Sequence, residues 1–125
     1  MRGAAILMAM TAPAKFISIS DILFLSGDLH GVMIRTFGTF FKYDPRQNII
    51  WIQDPKKHSD KLSVDCSKIC PFPFQENEGL LYQFIGEVDC SQPETITVKA
   101  LLYKCCQGLD TDVYIQAYMA IQKEP

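Results

Sequence analysis

Between Val32 and Tyr43 the chain strings together β-branched and aromatic residues with a single glycine, Gly38, at the middle. A run of that composition reads as one long strand. A glycine inside a strand marks a bulge or a sharp bend. A long strand bent at its centre can lie in two sheets at once, which is how a small barrel closes on itself. The rest of the chain is therefore read for strands that could complete such a barrel.

Four candidates follow. Asp44 to Asn48 is turn-forming by composition, and Ile49 to Gln53 is a short strand. Asp54 to Asp60 is a polar loop. Lys61 to Cys66 alternates cleanly, with Leu62, Val64 and Cys66 expected inward and Lys61, Ser63 and Asp65 outward. Pro71 and Pro73 exclude regular structure around them, so 70–79 is expected to plug the barrel, with Phe72 and Phe74 as apolar plugs. Leu80 to Val88 is the next strand, with Gly86 near its end. Thr95 to Tyr103 is the last, placing Ile96, Val98, Ala100 and Leu102 on one face and Thr95, Thr97, Lys99 and Tyr103 on the other. Upstream, Phe16 to Ser20 alternates like a short strand, and Ser20 or Asp21 could cap a helical turn over Ile22–Leu25. The expectation is an all-β domain with a terminal helix: a five-stranded Greek-key OB-fold barrel plus a C-terminal α-helix. Residues 1–31 form an approach segment, 32–106 the barrel and 107–125 the helix. Another small barrel or an open α+β sheet is the alternative.

With 125 residues the chain holds one domain, and its 21% charged residues place it among ordinary globular proteins. Its formal net charge of −2 lacks the basic excess of an autonomous nucleic-acid binder. Five cysteines, two of them adjacent, make a poor disulfide framework. Cys66 and Cys70 have the wrong spacing for a zinc knuckle, so neither a metal nor a cofactor is expected, and reduced thiols fit best. Arg2 before the apolar run Ala4–Met10, with Ala12-Pro13-Ala14 behind it, is a faint signal-peptide pattern. The cysteines argue against secretion, and Met8 or Met10 could be the start. No stretch approaches the roughly 20 apolar residues of a membrane span.

The terminal helix carries the most functional information. Eight of the ten residues from Val113 to Gln122 are apolar or aromatic, whereas a helix lying on one barrel needs only a single apolar stripe. Val113, Ala117, Ala120 and Ile121 make such a stripe. Tyr114 and Tyr118 extend it sideways, and Ile115 and Met119 occupy another flank. Either a second protein packs on the outer flank, with Ala117 permitting close approach, or the N-terminal segment folds back over it. The candidate partner contacts are Leu109, Val113, Tyr114, Ala117, Tyr118 and Ile121, joined by Arg35, which should point outward. Tyr43, Trp51 and Tyr103 are candidate stacking platforms for nucleic-acid bases, and Lys99 a candidate phosphate contact. The more ordinary reading is core for each aromatic and solvated surface for the lysine. No phosphate-cradling glycine loop, metalloprotease helix or nucleophile elbow is present, and Asp110 and Asp112 read as a helix cap rather than a catalytic pair.

Ile34-Arg35-Thr36-Phe37-Gly38 followed by Tyr43-Asp44, then Leu81-Tyr82-Gln83-Phe84-Ile85-Gly86-Glu87, then Val98-Lys99-Ala100-Leu101-Leu102 and Gly108-Leu109-Asp110, resemble in order and spacing the TEN-type subunits, the smallest members of the CST telomere-capping complex. The resemblance covers residues 15 to 122. It implies a single OB domain whose terminal helix and adjoining barrel surface bind an STN-type OB-fold subunit. It implies further that the pair joins a large CTC-type subunit, binds telomeric single-stranded DNA as a complex and acts with DNA polymerase α–primase in the nucleus. The Met1–Met10 leader departs from that pattern, as does a chain ending at Pro125 without a basic tail. An independent single-strand-binding module and a small secreted cysteine-containing protein are the competing readings.

Overall fold

The computed structural model describes residues 14–69, 79–92 and 94–123. Among these residues, six strands and two helices appear in the order β1 (Lys15–Phe16), α1 (Ile19–Leu25), β2 (Met33–Asp44), β3 (Ile49–Gln53), β4 (Lys61–Asp65), β5 (Leu81–Gln92), β6 (Thr95–Cys105) and α2 (Thr111–Lys123), with a 3₁₀ turn over Ser26–Leu29. The strands line up as β1-β2-β3-β4-β6-β5, and β2 pairs again with β5 to close the ring. Strands β4 and β6 run parallel, β1 lies parallel to β2 at the margin, and the other pairs are antiparallel. Five long strands closed in this order are the expected OB-fold barrel.

Gly38 is where β2 changes partner. Met33 to Thr39 pair with Glu87 to Leu81 on β5, and from Thr39 onward the strand pairs with β3. A β-carbon at Gly38 would stand 2.5 Å from Cδ1 of Ile52, so only glycine lets β3 approach here. Gly86 plays the same part opposite, since its β-carbon would meet the carbonyl oxygen of Lys99.

Inside the ring, Ile34, Phe40, Ile50, Ile52, Leu62, Val64, Tyr82, Phe84, Val88, Val98 and Ala100 form one core. Ile19 and Ile22 of α1 belong to it and are completely buried, each contributing about 1.5–3 kcal/mol. The segment expected to plug the barrel lies outside the described residues apart from Gly79. Among the described residues it is α1 that packs into the core.

Four expectations are corrected. The strand expected over Phe16–Ser20 ends at Phe16. The cap is Ser18, not Ser20 or Asp21: its hydroxyl accepts the Asp21 N–H at 3.1 Å, and Ile19 and Ile22, three apart, then share one helical face. Ser63 is buried although its face is outward. Its strand is paired on both edges, and its hydroxyl bonds to the Ile96 carbonyl at 3.0 Å and to Thr97 Oγ1 at 2.7 Å. Finally, Ile85 pairs with Leu102 but Gly86 with Ala100, leaving Leu101 as an extra residue in β6. This bulge reverses the alternation. Tyr103 therefore pairs with the core residue Phe84, and Leu102 pairs with Ile85, which forms a second buried cluster with Leu101 and Ala14.

The described cysteines are free thiols. Burial pushes Cys106 and Cys90 up.

Candidate partner-binding and nucleic-acid surfaces

Helix α2 starts where Asp110 can cap it. The Asp110 carboxylate accepts the N–H groups of Asp112 at 3.1 Å and Val113 at 3.3 Å, satisfying two of the free donors at the helix start. Gly108, at a φ of +86°, makes the preceding turn. From there the helix is seated on the barrel by aromatic contacts. Phe16 stacks on Phe37 with centroids 5.3 Å apart and planes within 5°. Tyr114 meets both edge-on, at 5.7 Å from Phe16 and 5.9 Å from Phe37. The Arg35 guanidinium lies 5.9 Å from the Phe16 centroid, a cation–π arrangement. Arg35 is thus half-buried in the seat rather than a free surface charge.

Beside Tyr114, Ile115 lines a cleft of about 120 Å³ with Phe16, Phe37, Thr36 and Pro55. Lys56, from the β3–β4 loop, forms an ion pair and hydrogen bond with Asp112 at its rim, and that bond raises the Lys56 pKa. Under the same loop, the buried Asp54 carboxylate accepts the Ser20 N–H at 3.1 Å, the Ser20 hydroxyl at 3.0 Å and the Lys56 N–H at 2.8 Å. Helix α1, the loop and α2 are therefore joined through a short chain of polar contacts.

The face of α2 that meets the barrel carries Tyr114 and Ile115. Val113, 62% exposed, and Ala117 and Ala120, both exposed, lie on the opposite face at i, i+4 and i+7. This corrects the sequence reading in one respect: the stripe that could have lain on the barrel faces away from it, because the aromatic seat selects the Tyr114 side. Phe16 does fold back onto the helix, but on the barrel side. Leu109 is exposed and borders a groove with Tyr114, Gln83, Lys104 and Cys105. The side chains of Tyr118 and Ile121 lie outside the described residues.

The four candidate nucleic-acid contacts do not converge. Tyr43 pairs with the fully buried Ile50 and packs against the core, so it is not a platform on the outer face. Tyr103 sits 6.2 Å from Tyr82 after the Leu101 bulge, away from the β3–β4 face. Trp51 and Lys99 do share the outer face of the sheet. Lys99, however, is 3.6 Å from Asp89. Asp89 is itself held below the usual carboxylate range by hydrogen bonds from Ser91 and then by Lys99. Sequence reasoning passed over Phe16 and Phe37 as seat residues, since nothing local tells a strand residue that Tyr114, far along the chain, will cover it.

No group of three or more acidic, histidine or cysteine residues able to hold a metal occurs among the described residues. None of their helices is long and apolar enough to cross a membrane.

Comparison with known proteins accords with this geometry. Two curated relatives carry the name CST complex subunit TEN1. The mouse protein is 25% identical over 89 residues, 71% of this chain and 55% of its own length. The human protein is 29% identical over 87 residues, 70% of each chain. The chain thus spans about half the length of the mouse relative. Among solved structures, a chain of the S. pombe Stn1–Ten1 complex superposes with a TM-score of 0.61 at 20% identity, covering 90% of this chain and 94% of that one. Replication protein A of U. maydis bound to single-stranded DNA gives 0.58 at 15% identity, covering 87% and 92%. These structural likenesses speak for the OB fold. The family described as "Telomere-capping, CST complex subunit" matches residues 10–123, and the chain therefore belongs to the telomere-capping CST complex subunit family.

Proposed function

We propose that this chain is a non-catalytic adaptor of a CST-like complex that binds an STN-type OB-fold subunit through α2. The observation that carries the reading is the exposed apolar stripe of Val113, Ala117 and Ala120 on a helix whose other face is already committed to the barrel. Small residues three positions apart, Ala117 and Ala120, allow a partner helix to approach closely. Leu109 and the exposed margin of Tyr114 extend the surface, Tyr118 and Ile121 continue the helix, and Arg35 supports the seat from below. Through this partner the chain joins a CTC-type large subunit, contributes to holding telomeric single-stranded DNA in the nucleus and works alongside DNA polymerase α–primase. The mildly acidic net charge of −2 suits a subunit that draws most of its DNA affinity from the assembly.

The test is co-purification with the STN-type protein from the same cells. Ala117→Arg places an unpaired charge in the contact and should weaken capture by about 3 kcal/mol, roughly a hundredfold, while circular dichroism shows an intact barrel. Full capture by the Ala117→Arg chain would rule the helix out as the interface.

A further inference from the structure

Along one edge of β2 there is a break between two partners. The strand pairs with β1 at Ile34 and Arg35 and with β3 from Thr39 onward. Thr36 and Phe37 thus have no strand partner on that edge among the described residues. Successive strand residues point to opposite faces. Thr36 and Phe37 nevertheless both line the cleft of about 120 Å³ beside α2. The cleft therefore runs through this break in the barrel wall toward the core.

Its walls are apolar, supplied by Phe16, Ile17, Phe37, Pro55 and Ile115. Thr36, only 1% exposed, brings a hydroxyl that has no hydrogen-bond partner among the described residues. Buried polar groups nearly always find a partner, because an unpaired one loses its hydration without return. Asp54, which also lines the cleft, already accepts from Ser20 and Lys56. The Thr36 hydroxyl is left for a molecule in the cleft to satisfy.

Size and charge narrow what fits. An apolar cavity of about 150 Å³ stays dry and accepts benzene, so a single aromatic ring is the right order of size here. The Lys56–Asp112 ion pair stands at the rim, and Asp54 and Asp110 also bear on the Lys56 ammonium. Negative charge therefore exceeds positive around the mouth and repels a carboxylate or phosphate. An ammonium would have to shed its hydration among apolar walls to reach a neutral hydroxyl. A neutral ring bearing one hydroxyl meets these conditions, since a threonine hydroxyl can both donate and accept.

We infer that the cleft is a binding site for a small neutral aromatic alcohol, with its ring between Phe37 and Ile115 and its hydroxyl on Thr36 Oγ1. A bound molecule touches β1, β2, the β3–β4 loop and α2 together, and so helps to hold the helix on the barrel. Such a site belongs to the chain alone, whatever packs on the outer face of α2.

The test is a titration of the full chain with phenol, toluene and benzoate in turn, followed by amide chemical shifts. Phenol should give saturable shifts in the millimolar range or below, centred on the amides of Ile17, Lys56 and Ile115. Toluene should bind more weakly, and benzoate should not bind. Thr36→Val should weaken phenol about fivefold, the size of one ordinary hydrogen bond, and leave toluene unchanged. Without ligand, its urea midpoint should equal or exceed that of the unsubstituted chain, because the variant removes an unpaired polar group. Absence of saturable phenol shifts at these amides would overturn the inference. So would equal losses of phenol and toluene in Thr36→Val, or a lowered midpoint in that variant, since the hydroxyl would then already have a partner. Shifts of the same amides by the STN-type protein but not by phenol would overturn it too, giving the cleft to a partner's side chain.

Discussion

The ring of Tyr114 on α2 stands edge-on to the ring of Phe16 on β1, 5.7 Å between centroids and 86° between planes. Two elements at opposite ends of the chain thereby lock each other onto the same strand of the barrel. Strand β1 has only two residues and little pairing of its own, so its place depends on Phe16 being held from both sides by Phe37 and Tyr114.

That arrangement predicts measurable coupling. In a double-mutant cycle of Phe16→Leu and Tyr114→Leu, urea unfolding should show an interaction energy of about 0.5–1.5 kcal/mol beyond the lost apolar area. Additive single effects would mean that helix and strand dock independently. Each single variant should also weaken STN-type capture, because a loosened seat presents the outer stripe in a poorly defined position.

Asp54 predicts a second effect. It is 4% exposed and accepts three hydrogen bonds that join α1 to the β3–β4 loop. Asp54→Ala leaves the Ser20 N–H and hydroxyl and the Lys56 N–H to find other partners and should cost about 2–3 kcal/mol. Asp54→Asn, which keeps the side-chain carbonyl as an acceptor, should lose less. Denaturant midpoints of the two variants decide the matter, and equal losses would show that acceptor geometry is not what holds the loop.

Tyr82 predicts an alkaline effect. Burial, with a smaller contribution from Cys105, pushes its hydroxyl up to about 12, against about 10 in an unfolded chain. The folded state therefore holds this proton more tightly than the unfolded state does. The associated stability is intact below pH 10 and is lost as pH climbs from there toward 12. In Tyr82→Phe that part of the alkaline decline should disappear, while unfolding curves near neutral pH keep the same shape. Parallel declines in both proteins would assign the loss to other groups.

What the sequence determined by itself is the set of elements and their chemistry. Gly38 in the middle of a β-rich run announced a strand shared between two pairings, and steric contact with Ile52 is the reason. The bounds of β3, Ile49–Gln53, follow from its composition and flanking turns. The apolar surplus of α2 was equally plain, because helical periodicity is local and counts residues without reference to a partner. What only the tertiary structure decided is which way those elements face. The bulges at Leu101 and Phe41 turned Tyr103 toward Tyr82 and brought Lys42 beside Trp51, and a bulge belongs to the pairing of two strands rather than to either one. Ser18 won the cap over Ser20 and Asp21 because Ile19 and Ile22 had a core to enter. The choice of Tyr114 and Ile115 as the seated face of α2, leaving Val113, Ala117 and Ala120 outside, was made by Phe16 and Phe37. Those residues are distant in sequence, and their surface becomes a helix seat only once the barrel has closed.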